Sequence, residues 1–467
     1  MRRRRPTCRD DQTRVVSESP ERTTSWLRRA GPADAVAIAD LFLASFRATY
    51  DFPLAHTEES VRGWIRDEIV ASAETWVAVE APLSSAGGMA AAGGTIAGFM
   101  TLGESELDQL YVGPGSWGRG FGSRLLALAV TRRPDGLGLY TFQANSRARA
   151  FYERRGFTIV DLDDGARNEE RQPDIRYRWT PGAQALPGAR APLPAPSPAS
   201  REEVRSADGT PIVAFRTGDG PPLILVHGAT ADHATFRVVG PMFSRHHTVH
   251  AVDRRGRGAS GDAASYAIER EYEDLAAVID AVASETRGPV DVVAHSFGGA
   301  VAIGAATLTQ NVRRLVLYES AAAVPGLDDP PPESVARLRA LERAGDRAGL
   351  LRVFLREIVG LTDAKLAEFE ASPVYQERLA AAPTVLRELT AGEPVDHAAA
   401  ASLAAAVPVP VLQLLGSESA AFFGETTLLL DAALPDGRVV ILDGQRHAAH
   451  HEAAEVFVAE VEAFLDR

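Results

Sequence analysis

The chain has a single cysteine, Cys8, and a single lysine, Lys365, among its 467 residues. One cysteine allows no internal disulfide and excludes a metal site built from several thiolates. This usage is typical of a protein kept in a reducing cytosol. The scarcity of lysine beside many arginines indicates a coding sequence rich in G and C, so we expect a bacterial origin.

The sequence also lacks a long apolar run. Its alanine-rich stretch Ala398–Val407 is well short of the roughly 20 residues that span a bilayer. Arg2–Arg5 are followed by a polar and acidic segment instead of the apolar region of a secretion signal. We therefore expect a cytoplasmic protein with no membrane partner, whose residues 1–24 form a disordered tail. The formal net charge of −13 argues against nucleic acid as a partner.

The length predicts two or three domains instead of one core. Residues 181–200 are rich in proline, alanine and glycine and lack apolar periodicity, which predicts an extended linker. Strands and helices alternate on both sides of this segment. We therefore predict one domain over residues 25–180 and a second over residues 201–467.

A glycine-rich turn, W-G-R-G-F-G, occupies Trp117–Gly122 between a predicted strand and a predicted helix. Gly118, Gly120 and Gly122 have no Cβ, so the backbone can approach an anion closely. The helix that begins near Gly120 offers unpaired amides and a partial positive charge. By itself the pattern is equally compatible with a tight turn that binds nothing.

A second element, N-S-R-A-R-A-F-Y-E-R-R-G-F at Asn145–Phe157, follows the glycine-rich turn. Together and in this order the two elements resemble the acyl-CoA loop and the N-x-x-A-x-x-F-Y-x-x-x-G-F element of the GNAT N-acetyltransferase superfamily. The resemblance implies an α+β fold with a mixed, mostly antiparallel sheet, and acetyl-CoA as the co-substrate. It also implies that the pantetheine arm of acetyl-CoA pairs with the backbone of Leu110, Tyr111 and Val112. The pyrophosphate would bind the backbone amides of Gly118, Arg119, Gly120, Phe121 and Gly122. Asn145 would face the cofactor, and Tyr152 would protonate the departing thiolate.

Trp117 departs from this pattern, which usually has Gln or Arg at the first position of the loop. Backbone amides supply most of the contacts, so we expect binding of acetyl-CoA to survive. A phenol with a pKa near 10 can donate a proton to a thiolate, although Tyr152 would also suit a helix core. The general base stays open among Glu104, Glu106 and Asp108. The acceptor is equally open: a small-molecule amine, a protein N-terminus or a side chain.

The second half carries a different signature around Ser296. This serine follows an apolar strand and precedes Phe297-Gly298-Gly299. Small neighbours suit a tight strand-to-helix turn that exposes a nucleophilic hydroxyl. The segment reads A-H-S-F-G, with Ala294 in place of the usual first glycine.

Three further segments make residues 202–467 similar to the α/β-hydrolase superfamily. They are His227-Gly228 after an apolar strand, the D-R-R-G-R-G-A-S turn at Asp253–Ser260, and Gly444–His447 after the last strand. The resemblance implies a mostly parallel sheet with helices on both faces and a helical cap over about residues 321–405. It also implies that the backbone amides of Ala229 and Phe297 stabilise an oxyanion.

A nucleophilic serine needs a base and an orienting acid. The resemblance assigns Ser296 as nucleophile and His447 as base, with His450 and His451 as alternatives for the base. The family places its acid after the strand L-Q-L-L-G, where Ser419 takes the usual aspartate position. We prefer the neighbouring Glu418, and Glu319, after an earlier strand, is the alternative. No metal is required.

Serine at the turn argues against epoxide hydrolase and dehalogenase chemistry, which needs a carboxylate nucleophile. An ester, thioester, lactone or amide of a small molecule fits better, and the apolar content of the cap favours a hydrophobic acyl group. The leading hypothesis is a bifunctional acetyl-CoA-dependent N-acyltransferase and serine hydrolase. Two alternatives are a non-catalytic acyl-CoA sensor that regulates the hydrolase, and an active acetyltransferase joined to a degenerate hydrolase. The remaining possibility is two folds without activity.

Overall fold

The computed structural model describes residues 23–83, 94–166, 168–181, 199–321, 332–372, 374–390 and 397–466. The predicted tail lies outside these residues except for its last two, which begin the first strand. Most of the predicted linker also lies outside them, and its last residue, Ser200, begins a strand.

Within these residues, fifteen strands form a single sheet. In chain order they are β1 (Thr23–Arg29), β2 (Glu74–Pro82), β3 (Thr95–Leu102), β4 (Glu106–Val112), β5 (Leu137–Phe142), β6 (Thr158–Asp163), β7 (Asp174–Trp179), β8 (Ser200–Arg205), β9 (Pro211–Thr217), β10 (Pro222–Val226), β11 (Thr248–Asp253), β12 (Val290–His295), β13 (Val312–Tyr318), β14 (Val411–Gly416) and β15 (Gly437–Leu442).

Sixteen α-helices connect or cover these strands within the described residues. They are α1 (Ala35–Thr49), α2 (Glu58–Trp64), α3 (Phe121–Arg132), α4 (Ser146–Glu153), α5 (Val239–Phe243), α6 (Ile268–Thr286), α7 (Phe297–Ala306), α8 (Pro332–Ala344), α9 (Arg347–Val353), α10 (Asp363–Glu370), α11 (Tyr375–Ala381), α12 (Val385–Thr390), α13 (His397–Ala405), α14 (Ala421–Ala433), α15 (Ala449–Glu452) and α16 (Ala454–Leu465). Among the described helices, none combines the length and the apolar character that crossing a membrane requires.

The strand order is β6-β7-β5-β4-β3-β2-β1-β15-β14-β13-β12-β10-β11-β9-β8. Strands β1 to β7 pair antiparallel except for β4 with β5, so the predicted mixed, mostly antiparallel sheet is confirmed. Strands β10 to β15 pair parallel, and β8 and β9 add an antiparallel edge. The predicted mostly parallel sheet of the second half is therefore also confirmed. Its continuous apolar strands suit a sheet covered on both faces.

The cap is helical where it is described, as predicted. Helices α8 to α13 lie between β13 and β14 in the chain, and α8 to α12 enclose an apolar cluster that includes Leu338, Leu351 and Val385. Ala229, from the loop after β10, packs against this cluster. The cap therefore lies over the loop that was predicted to stabilise an oxyanion.

The two halves share one sheet because β1 pairs in parallel with β15. The register brings Trp26 opposite Ile441 and Leu27 opposite Leu442. On one face, Phe423 and Ile441 of the second half are buried in the same cluster as α1 and α2 of the first. No motif predicts this pairing, which joins segments more than 400 residues apart.

A buried ion pair also crosses the boundary on the other face of the sheet. Arg124 of α3 donates from Nη2 to Glu460 Oε1 of α16 at 2.8 Å, and from Nη1 to Ser25 Oγ at 2.7 Å. The side chains of Arg124 and Glu460 are only 5% and 1% exposed. Two charges buried this deeply depend on each other, because either one alone would lack its counter-charge in a nonpolar environment.

We predict that Glu460→Gln lowers the free energy of unfolding by about 3–5 kcal/mol, because it leaves the Arg124 guanidinium buried without a counter-charge. Glu455→Gln is the matched control, since Glu455 lies on the same helix and pairs with Arg132 at 2.5 Å but is half exposed. Its loss should cost about 1 kcal/mol or less. Urea unfolding followed by circular dichroism measures both changes, and equal effects of the two substitutions would contradict the prediction.

Candidate active sites

Ser296 lies on a strained turn between β12 and α7. Its backbone dihedrals are φ 55° and ψ −125°, a conformation that residues other than glycine rarely adopt. The turn is held by hydrogen bonds from Ser296 N to Tyr318 O at 2.9 Å and from Gly299 N to Ser296 O at 2.8 Å. The predicted strand-to-helix turn is therefore present, with the serine at its apex.

Glycines allow the loop after β10 to contact this turn directly. A Cβ on Gly228 would lie 2.8 Å from Ser296 Cβ, and one on Gly298 would lie 2.5 Å from His227 O. Both distances are too short for real atoms, so alanine at either position would push the two segments apart. This contact brings the neighbouring residues Ala229 and Phe297, the predicted oxyanion donors, to the same side of the sheet.

A buried network of charged side chains holds the loop after β10 in place. Arg254, in the turn after β11, donates from Nη1 to Gly228 O at 3.1 Å and from Nε to Glu271 Oε2 at 2.7 Å. Arg254 and Arg257 both also contact Glu388 of the cap helix α12. Burial would raise the pKa of Glu271, but the two arginines outweigh it and hold that pKa well below its usual range. The turn at Asp253–Ser260 thus ties the cap to the core.

His447 pairs with Glu319. Its Nδ1 lies 2.6 Å from Glu319 Oε2, and the Glu319 side chain is completely buried. The other carboxylate oxygen accepts hydrogen bonds from Gly416 N, at 2.8 Å, and from the Ser419 hydroxyl. The imidazole is stacked on Phe423 with ring centroids 4.2 Å apart. These contacts fix the ring so that its second nitrogen is available to act as a base.

The prediction that Glu418 is the acid that orients His447 is wrong, because the carboxylate bonded to His447 is that of Glu319. Glu418 is half exposed and pairs with Arg446 at 3.1 Å, away from the histidine ring. Because the order of the strands is β12-β13-β14-β15, the end of β13 lies next to the end of β12, which carries Ser296. Glu319, the alternative acid, follows β13 directly, and Ser419 contributes a hydroxyl to it from the position where the family has its acid.

The two alternative histidines do not contact this carboxylate. His450 is buried, and neither of its ring nitrogens has a hydrogen-bond partner among the described residues. Burial lowers its pKa well below the usual value, which keeps the ring neutral. Burial also lowers the pKa of His451, to about 4. The structure therefore favours His447 over both.

The first half contains a cavity of about 1180 Å³ where β4 and β5 separate. In the described residues these strands pair only at Glu106–Gly138 and Leu107–Leu139. The cavity is large enough for a ligand bigger than a typical drug molecule. Of the residues predicted to bind the cofactor or to donate the proton, all but Arg119 line it: Leu110, Tyr111, Val112, Gly118, Gly120, Phe121, Gly122, Asn145 and Tyr152.

The glycine-rich turn has the backbone geometry that the sequence predicted. Gly118 and Gly120 have φ values of 76° and 91°, in the left-handed region that favours glycine, and Gly120 is the N-cap of α3. A Cβ on Gly118 would meet nothing within 4 Å, so the turn forms an open cradle at the helix N-terminus. Arg119 contributes only its backbone here, because its side chain pairs with Glu80 at 2.8 Å.

Trp117 turns toward the protein instead of the cradle. Its indole Nε1 donates to Val112 O at 2.8 Å, and the Arg147 guanidinium lies 4.4 Å above its ring. Ser45 Oγ donates to the same carbonyl at 2.9 Å. This corrects the prediction for the carbonyl oxygen of Val112, which already accepts two hydrogen bonds and is not available to the pantetheine arm.

The β3–β4 ladder decides which other backbone groups of β4 reach the cavity. Gly113 N donates to Ala97 O at 2.9 Å, and the alternation of an antiparallel ladder then directs the backbone groups of Tyr111 toward β3. The prediction that the Tyr111 backbone pairs with the pantetheine arm is therefore also corrected, because its amide and carbonyl are used in the ladder with β3. The groups of Leu110 and the amide of Val112 point to the opposite side, where the cavity lies.

Asn145 and Tyr152 have different parts in the wall of the cavity. Asn145 caps α4, since its Oδ1 accepts from Ala148 N at 2.9 Å, and its Nδ2 donates to Tyr50 OH at 2.9 Å. Its amide is thus used to hold the wall together. Tyr152 is almost fully buried, and burial raises its pKa above the usual value. Its phenol stays protonated at neutral pH and can act as an acid.

Among the three predicted candidates for the general base, Asp108 lines the cavity. Burial and the charge of Glu106 raise its pKa. Glu106 instead pairs with Arg176 at 2.8 Å, and Glu104 is exposed outside the lining. The aromatic wall of the cavity has no motif and was not predicted from the sequence; it consists of Phe42, Phe46, Tyr50, Trp64 and Phe142.

Comparison with known proteins agrees with this division. A model of the alpha/beta hydrolase family matches residues 223–460, which is just over half of the chain. The chain belongs to the alpha/beta hydrolase family. In addition, a model of the acetyltransferase (GNAT) domain matches residues 71–159, so the suspected fusion is confirmed.

Individual members of the hydrolase family are similar to the second half. An alpha/beta hydrolase from Sphaerobacter thermophilus has a TM-score of 0.50 and 33% identity, covering 56% of this chain and 99% of its own. A pimeloyl-[acyl-carrier protein] methyl ester esterase of Neisseria meningitidis is 29% identical over 52% of this chain and 92% of its own. An (E)-2-((N-methylformamido)methylene)succinate hydrolase of Acinetobacter baylyi is 24% identical over 54% and 93%.

For this alpha/beta hydrolase we predict that Glu319→Gln slows labelling of Ser296 by a fluorophosphonate probe by about 100-fold or more. The amide would no longer stabilise the protonated form of His447. Glu418→Gln is the matched control on the neighbouring loop and should change the rate less than about 2-fold, as expected for an exposed side chain. The opposite ranking of the two variants would restore Glu418 as the acid.

Proposed function

We propose that the chain is a bifunctional enzyme, an acetyl-CoA-dependent N-acyltransferase joined to a serine hydrolase. The observation that carries the hydrolase proposal is the hydrogen bond between His447 and the buried Glu319, beside a serine on a strained turn. The substrates are small molecules with an ester, thioester, lactone or amide bond. The single cysteine favours a cytoplasmic enzyme, and the scarcity of lysine beside many arginines favours a bacterial origin.

In the hydrolase, Ser296 Oγ attacks the carbonyl carbon while His447 accepts its proton. Glu319 holds the imidazole in the required tautomer and stabilises its charged form. The amides of Ala229 and Phe297 donate to the oxygen as it becomes negative. His447 then returns the proton to the leaving group, and water repeats the sequence to release the acid. The similar esterase of Neisseria meningitidis, by its name, cleaves a methyl ester.

Ser296→Ala should abolish both ester hydrolysis and fluorophosphonate labelling, because the variant lacks the attacking oxygen. The measurement compares active-site labelling with release of p-nitrophenol from p-nitrophenyl acetate. Thermal unfolding of the variant provides the control for an intact fold. Full labelling of the alanine variant would show that another nucleophile is responsible.

In the acetyltransferase, the cradle at Gly118–Gly122 fits a pyrophosphate because its backbone is open and its amides converge at a helix N-terminus. Acetyl-CoA supplies an activated acetyl thioester when bound. Asp108 accepts the proton of the acceptor amine, and the Tyr152 phenol donates a proton to the sulfur of the leaving group. The aromatic wall favours an acceptor with an apolar body.

We predict that Tyr152→Phe lowers the rate of acetyl transfer by about 100-fold, because a general acid contributes about that much. Binding of CoA, measured by calorimetry, should stay within about 3-fold, since the ring and its packing remain. Thiol release with a panel of aromatic amines measures the rate. An unchanged rate in the variant would assign Tyr152 to the helix core.

One observation favours the alternative of an acyl-CoA sensor. Helix α3, which begins at the cradle, also carries Arg124, whose partner Glu460 belongs to the hydrolase half. A ligand at the cradle thus contacts an element that is anchored in the other half. Turnover of acetyl-CoA with any amine would reject a purely sensing role.

A further inference from the structure

The cap helix α11 places an arginine beside the hydrolase site. Arg378 donates from Nη1 to Ala229 O at 3.4 Å and from Nη2 to Thr235 Oγ1 at 3.1 Å. Ala229 is the residue whose amide was assigned to the oxyanion, so the guanidinium contacts the loop that carries this amide. Within the described part of the chain, no carboxylate oxygen comes within the 4.0 Å of an ion pair with it.

Four arginines among the described residues are buried more deeply than Arg378, which is partly buried. Arg124, Arg254, Arg255 and Arg257 each have a carboxylate oxygen within hydrogen-bond distance. Arg378 instead donates to two neutral oxygens, and burial lowers its pKa to about 10 although the charges of Asp232 and Glu377 oppose this shift. At neutral pH it is still charged. A desolvated cation with neutral partners can be stabilised by an anion that arrives with the substrate.

Arg378 also contributes positive charge beside the turn that carries Ser296. Burial is the main cause of the low pKa values of His295 and His450. The positive charge of Arg378 contributes to lowering both values. The one carboxylate bonded to the catalytic histidine, Glu319, is already saturated by His447, Gly416 and Ser419. Near Arg378, Asp232 uses one oxygen to cap the turn that begins at His233.

We propose that Arg378 is a specificity-determining residue that binds a carboxylate carried by the acyl group of the hydrolase substrate. A guanidinium has five N–H groups in a planar fork, and the two contacts described leave a pair free for bidentate binding of a carboxylate. The substrate class is therefore an anionic half-ester or a related lactone or amide, with its carboxylate a few atoms from the scissile carbonyl. This inference rests on the proposed hydrolase function and deepens it.

The test compares monomethyl with dimethyl esters of succinate, glutarate and adipate, which differ only in one charge. For the full-length protein we expect kcat/KM for the best half-ester to exceed that of its diester by about 10-fold or more. Arg378→Gln should reduce this ratio by about 10- to 100-fold, chiefly through KM, because a charged hydrogen-bond pair is lost. Arg378→Lys should give an intermediate ratio, since it keeps the charge without the fork.

Arg352→Gln is the control variant, because Arg352 is an exposed arginine of the cap that pairs with Glu370. It should leave the ratio as in the wild type. Fluorophosphonate labelling of Ser296, which uses an uncharged probe, shows for each variant that the site is folded. An Arg378→Gln protein that keeps the wild-type ratio would overturn the inference.

A second measurement needs no variant. Glutarate should slow labelling of Ser296 in the wild type, whereas glutaramide at the same concentration should not. Protection by both or by neither would overturn the role of Arg378. Absence of labelling in the wild type, by contrast, would overturn the proposed hydrolase itself, so the two failures are distinguishable.

Discussion

The parallel ladder between β1 and β15 determines how the two halves of this protein are arranged. Without β1, strand β15 would be the open edge of the hydrolase sheet, with unpaired amides and carbonyls. The ladder satisfies these groups and brings α3 against α16 and α14 against α1 and α2. Apolar side chains such as Val439 and Ile441 then belong to a core built from both halves. The two sites are fixed on one continuous sheet.

The same sheet produces two kinds of site. In the parallel part, loops after the strands converge at the carboxyl edge of the sheet, which carries Ser296, Glu319 and His447. In the mixed part, the site forms where β4 and β5 stop pairing and leave a cavity between them. One site thus depends on side chains brought together in register. The other depends on backbone groups that the sheet leaves unused, as at Leu110.

Local patterns allowed much of this to be predicted from the sequence. The strained turn at Ser296 and the left-handed glycines of the cradle are determined by neighbouring residues, so their motifs are readable. The acid could not be identified from the sequence, because the choice between Glu319 and Glu418 depends on which strands are adjacent in the sheet. The indole of Trp117 is a similar case: the sequence marked it as unusual, but only the fold shows that it bonds to Val112. The pairing of β1 with β15 has no motif at all.

That pairing also has a consequence for how the chain is made. Thr24 bonds to Val439 across 415 positions, so β1 cannot complete its ladder until β15 has been synthesised. Until then, the N-terminal core lacks Phe423 and Ile441 and keeps an apolar face exposed. Contacts this distant in sequence form slowly, and intermediates with unpaired strand edges are prone to aggregate. The unpaired edge of β1 is therefore a place where the newly made chain can associate wrongly until β15 is available.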